Sequence, residues 1–89
     1  MYLHLGASVI IHRDDVLAIF DLDNTTSSAI TRDFLSRAEK EGRVVSAGDD
    51  LPKSFLLCRA RQGDVTVYLS QLATATLLKR LESDRFELA

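Results

Sequence analysis

The chain has no tryptophan, one proline, one cysteine and four scattered glycines among its 89 residues. Each scarcity removes a class of protein. A single cysteine cannot build a disulfide framework or a thiolate zinc site. Cys58, set in the apolar run SFLLC, reads as a small buried hydrophobe suited to a reducing cytosol. Four separated glycines make no phosphate-cradling loop, and no nucleophile elbow surrounds the serines and threonines. No apolar stretch reaches the roughly 18 residues of a membrane-spanning helix. The N-terminus MYLHLGASVIIHRDD lacks a basic leader and alternates apolar residues with His and Ser, so it does not read as a signal peptide. Net charge is small too: 11 basic against 13 acidic residues give −2, so bulk charge predicts neither nucleic-acid nor membrane affinity. Any anion-binding surface must come from local clustering.

What is present describes one small domain covering residues 1–89. With 46% hydrophobic and 27% charged residues, the composition is that of an ordinary globular chain. Met1–Leu5 alternates, with Leu3 and Leu5 on one side and Tyr2 and His4 on the other, and Val9–His12 repeats the strand pattern after a tight Gly-Ala-Ser connection. Val16–Phe20 is a third strand, apolar on both faces: Val16, Ala18 and Phe20 on one, Leu17 and Ile19 on the other. A strand of that kind needs cover on both sides. Val16, Ala18 and Phe20 are therefore candidates for an oligomer interface. A helix is expected over about residues 28–41, started by the cap-forming stretch DNTTSS and stopped by Gly42. Val44 and Val45 suit a short strand. Ser54–Arg61 and Val65–Leu69 read as a hairpin, and a second helix is expected over about residues 71–82, capped by Ser70. The tail from about residue 83 is expected to fray or to dock Phe86 and Leu88 on a neighbour. The sum is an α+β domain, mostly antiparallel sheet with two helices.

The phrase VLAIFDLDNTTS resembles the nucleophile motif of haloacid-dehalogenase phosphohydrolases, in which paired aspartates (here Asp21 and Asp23) act with Mg²⁺ on a phosphoryl group. That architecture needs several strand–helix–strand units of about 30 residues each, more than this chain can supply. The acidic pair Asp49-Asp50 also precedes Lys53, the reverse of that family's order. The aspartates with Asn24 and Thr25 read instead as turn and cap formers. His4 and His12 have no third ligand at fixed spacing. No catalytic residue, metal, cofactor or small-molecule substrate is expected, and the chain reads as non-enzymatic and cytoplasmic.

The basic residues are better placed than their number suggests. Lys53, Arg59 and Arg61 lie on or beside one hairpin, the two arginines at alternate positions, and Arg13 lies in a turn. These four are the candidate DNA-contacting residues. Such contacts would go mainly to phosphates and be steeply salt-dependent, and repetition around an oligomer would add them by avidity. Tyr2 and Tyr68 are too few to form a stacking platform for single strands. The alternative is an interaction or scaffold subunit without a nucleic-acid role.

Read in order, MYLHLG, IIHRDDVLAIFDLD, TRDFLSRAEKEGRVV, DLPKSFLLC and VYLSQLATATLLKRL, the chain resembles the Rem family of bacterial extracellular-matrix (biofilm) gene regulators. The closer match is the RemB-like branch, carried by Met1–Gly6, Arg13–Asp21 and Pro52–Leu57. The resemblance implies a ring-like homo-oligomer that binds double-stranded DNA without a cofactor. In RemA-like members, arginines after the second strand and before the hairpin are associated with DNA. The corresponding positions here are Asp15 and Asp50-Leu51, with only Arg13 and Lys53 basic nearby.

Overall fold

The computed structural model describes residues 2–22, 28–61 and 64–88, with side chains described through residue 82. Strands β1 (Tyr2–Gly6) and β2 (Val9–His12) form an antiparallel hairpin, its turn opened by positive φ at Gly6 and Ala7. The expected alternation holds: Leu3 and Leu5 are buried, Tyr2 and His4 exposed. A single 3₁₀ turn, Arg13–Asp15, leads into β3 (Val16–Asp21). Helix α1 (Ala29–Lys40) is followed by β4 (Val44–Ala47), β5 (Ser54–Cys58), β6 (Thr66–Ser70) and helix α2 (Thr74–Leu88). This is the α+β domain that the sequence predicts.

Strands β3 to β6 make one sheet in the order β3-β5-β6-β4. β3–β5 and β5–β6 are antiparallel, while β4 joins β6 in parallel. Three layers result. On one face Leu3, Leu5 and Ile11 of the hairpin and Leu77 of α2 pack with Leu56 and Cys58. On the other, Phe34, Leu35 and Ala38 of α1 pack on Phe20, Phe55 and Val67, with the Phe20 and Phe55 rings stacked at 4.8 Å. The short side chain of Ala38, fully buried, lets the helix approach the sheet. Ile30, at the same helical spacing, stands 82% exposed.

The end of α1 follows directly from sequence. Gly42 takes φ +73°, Gly42 N–H donates to Glu39 O and Arg43 N–H donates to Ala38 O, a Schellman closure that only glycine enters without strain. Ser28 is the N-cap residue and its side chain makes no cap bond. The aspartate, asparagine and threonine cap formers at 23–25 lie outside the described residues.

The bounds of α2 and the register of β3 both differ from expectation. Ser70 does not cap α2, because it remains in β6 and its hydroxyl is used elsewhere: it donates to Leu5 O at 2.7 Å and accepts Leu72 N–H at 3.1 Å. Ser54 opposite it donates to Leu72 O at 2.8 Å. These two buried serines fasten β1 to the sheet and hold the connection to α2, which starts at Thr74 and runs to Leu88. The side chains of Phe86 and Leu88 lie outside the described residues. Ser70→Ala should lower stability by about 1–3 kcal/mol, because it strands a buried carbonyl and a backbone N–H. A chemical-denaturation midpoint compared with that of Ser46→Ala, on the exposed side of β4, measures it.

The second difference concerns β3. Val16 pairs with Cys58 but Ala18 pairs with Leu57, so a bulge at Leu17 shifts the register. Val16 and Ile19 therefore join the hairpin face and Phe20 joins the α1 face. The expected grouping of Val16, Ala18 and Phe20 on one face is broken by that extra residue. Much of the cover that this two-faced strand requires comes from the protomer itself. What β3 leaves open is its outer edge, since it is a terminal strand of the sheet.

Candidate nucleic-acid interface

The candidate site is assembled by strand ends. β3 begins where β5 ends, and the Arg59 N–H donates to Asp15 O at 2.7 Å, tying the residue after β5 to the turn that carries Arg13. Arg61 follows two residues later, in a bend. Arg59 and Arg61 are exposed and Arg13 is half-buried. The expected hairpin strand to Arg61 is shorter than predicted: β5 stops at Cys58, so the two arginines sit on a turning segment instead of sharing a strand face. The loop residues at 62 and 63 lie outside the described residues.

Lys53 is placed elsewhere. It precedes β5 at the far end of the ladder, where its carbonyl accepts Leu22 N–H. Six residues of largely extended chain put it about 20 Å from Arg59. Its neighbours in sequence, Asp49 and Asp50, are exposed. Their loop is held by the Gln71 side-chain amide, whose oxygen accepts both backbone N–H groups. The cluster predicted from Arg13, Lys53, Arg59 and Arg61 is thus three arginines at one end of the sheet and a lysine at the other.

Sequence reasoning passed over Arg43. Because β4 runs parallel to β6, β4 starts at the same end, and Val67 N–H donates to Arg43 O. The Arg43 guanidinium donates to Val65 O at 2.9 Å and to the Glu41 carboxylate at 2.9 and 2.7 Å. A basic residue opening a predicted strand was the available signal, but its position depends on the crossover. With its charge paired to Glu41, Arg43 braces the connection into β6.

The acids at this end are partly engaged. The Asp14 carboxylate lies 3.7 Å from His12 Nδ1. Asp15 is half-buried, and burial together with its charge pushes the Cys58 thiol up to about 11. Burial chiefly, with Cys58 and Asp15 adding, also raises the Tyr68 phenol. Cys58 is thus a protonated, buried thiol near neutral pH, matching its reading as a core residue. Tyr68 packs against the core, which leaves Tyr2 as the exposed tyrosine. Among the described residues Arg13, Arg59 and Arg61 make no ion pair, and their guanidinium groups are available to an anion.

The phosphohydrolase-like phrase lies at the opposite end of the sheet, beside Lys53. Asp21 closes β3 in an antiparallel pair with Ser54, where that chemistry needs parallel strands; residues 23–27 of the motif lie outside the described residues. Among the described residues no three His, Cys, Asp or Glu side chains come together as metal ligands, and no helix is long and apolar enough to cross a membrane.

Comparison with known proteins shows the family. The model of the RemA-like family, extracellular matrix regulatory protein A-like, matches residues 2–81. The chain belongs to the RemA-like family. It is also 30% identical over 82 residues to extracellular matrix regulatory protein B of Bacillus subtilis (strain 168), covering 92% of this chain and 91% of that protein. The match begins at β1 and ends at Leu81 within α2, so it includes both layers that cover the sheet, the Arg13–Asp15 turn and the Arg59–Arg61 segment. The resemblance of the sequence phrases to RemB-like proteins is upheld by that relative.

Proposed function

We propose that this RemA-like chain is a non-enzymatic, cytoplasmic regulator of extracellular-matrix genes. It self-assembles and contacts the phosphates of double-stranded DNA through Arg13, Arg59 and Arg61. The observation that carries the reading is their convergence: the Asp15–Arg59 backbone bond brings residues 44 positions apart to one end of the sheet, where the three guanidiniums make no ion pair among the described residues. A single protomer with net charge −2 holds DNA weakly. Assembly repeats the three arginines, and weak phosphate contacts then add by avidity. The open edge of β3, Val16–Phe20, carries no charged side chain and supports self-association.

Fluorescence anisotropy with matrix-gene promoter DNA over a salt series tests this. Three phosphate contacts per engaged protomer give a log–log slope near −2.7 for one protomer, about 0.9 per contact, and proportionally steeper for an assembly. No binding at low salt would refute direct DNA recognition. Light scattering after size exclusion tests assembly, and a monomer would remove the avidity.

A second reading, an interaction subunit that modulates a DNA-binding relative, is favoured by the exposed apolar residues Leu17, Ile30 and Leu51 together with the acidic balance. Under that reading promoter DNA stays unbound at every salt concentration, while Arg59 and Arg61 become protected in a subunit contact.

A further inference from the structure

The turn that carries Arg13 is closed by the Val16 N–H, which donates to Arg13 O, and is capped at its start by a histidine. His12 is the N-cap residue of the 3₁₀ turn, and its Nδ1 accepts the Asp14 N–H at 3.2 Å. Only a deprotonated Nδ1 can accept, so this bond requires the neutral imidazole with its proton on Nε2. The Asp14 carboxylate stands 3.7 Å from the same nitrogen, ready to receive a proton-bearing Nδ1. Across the hairpin, β1 presents the Tyr2 ring edge-on at 5.4 Å and His4 diagonally on the same face, and Arg80 of α2 donates to His4 O. Arg13 and Asp15 are the other charged residues of the turn.

We infer that His12 is a pH-sensitive latch on the Arg13–Asp15 turn. The neutral ring holds the Asp14 amide and caps the start of the turn. The imidazolium releases that amide and donates to the Asp14 carboxylate instead. One proton is taken up at Nδ1, one neutral hydrogen bond is lost and one charge-assisted bond replaces it. The next residue, Asp15, holds the Arg59 N–H, so opening the latch alters how Arg13 sits against Arg59. Histidine is suited to this because its ring nitrogen accepts when neutral and donates when protonated. The consequence for DNA contact rests on the function proposed above; the latch itself does not.

Amide NMR from pH 8 to 5 tests it on the intact protein. The Asp14 amide should shift along the same curve as the His12 ring protons, lose protection roughly five- to tenfold as the imidazolium forms, and carry the Arg59 amide with it. In His12→Asn the side-chain oxygen accepts the same N–H at every pH, so the His12-linked shift should vanish while protection stays high. In His12→Phe protection should be low throughout. An Asp14 amide indifferent to His12 titration, or an Arg59 amide that stays flat while Asp14 moves, would overturn the latch. Failure of the wild-type protein to bind promoter DNA bears on the proposed function and leaves these amide readouts to decide the latch.

Discussion

Leu56→Ala should lower the thermal midpoint by roughly 12–24 °C, through a loss of about 3 kcal/mol in a domain of this size. Leu56 is fully buried on β5, which lies between β3 and β6, and it pairs with Ile19 on one side and Tyr68 on the other. Above it lie the hairpin and α2 through Leu3, Leu5, Ile11 and Leu77. Truncation opens a cavity where three elements meet, and none can collapse into it without breaking the strand ladder. Leu51→Ala is the control, because Leu51 is 87% exposed and should change stability by less than about 0.5 kcal/mol. Differential scanning calorimetry of the two variants decides it. A shift below about 5 °C for Leu56→Ala would mean that this face is not the principal core.

The combined substitution Arg13→Ala, Arg59→Ala and Arg61→Ala should weaken promoter binding at low salt by at least about 100-fold and flatten the salt slope by about 2.7 per engaged protomer. The same variant should fold and assemble as the parent does: the Asp15–Arg59 bond uses backbone atoms, and two of the three side chains are exposed. Lys53→Ala provides the comparison. Placed about 20 Å away by the strand rise, beside Asp49 and Asp50, it should leave the slope nearly unchanged. A slope that drops as far for Lys53→Ala as for the triple variant would move the interface to the other end of the sheet.

Much of the frame was legible in the chain. The alternation of Leu3 and Leu5 against Tyr2 and His4 set the first strand, because a half-buried strand repeats every two residues. Gly42 stopped α1 because only glycine enters the left-handed closing position freely. The candidate site was legible less fully. Arg59 and Arg61 looked like neighbours on one strand face, which assumed that β5 continues past Cys58. Lys53 looked like their companion because it is near in sequence, yet a strand separates what it connects by its own length. Arg43 went unnoticed, since its place at the arginine end depends on β4 pairing with β6 in parallel.

By itself, then, the sequence determined the element types, the alternating faces of β1, the closure of α1 and the family. Each depends on residues a few positions apart, where backbone preferences and side-chain period act directly. Tertiary structure alone decided the bulge at Leu17, the strand order β3-β5-β6-β4 and therefore which charges share an end. Those depend on pairing between distant segments, whose register is chosen by the packing of a whole core and leaves no local mark in the chain.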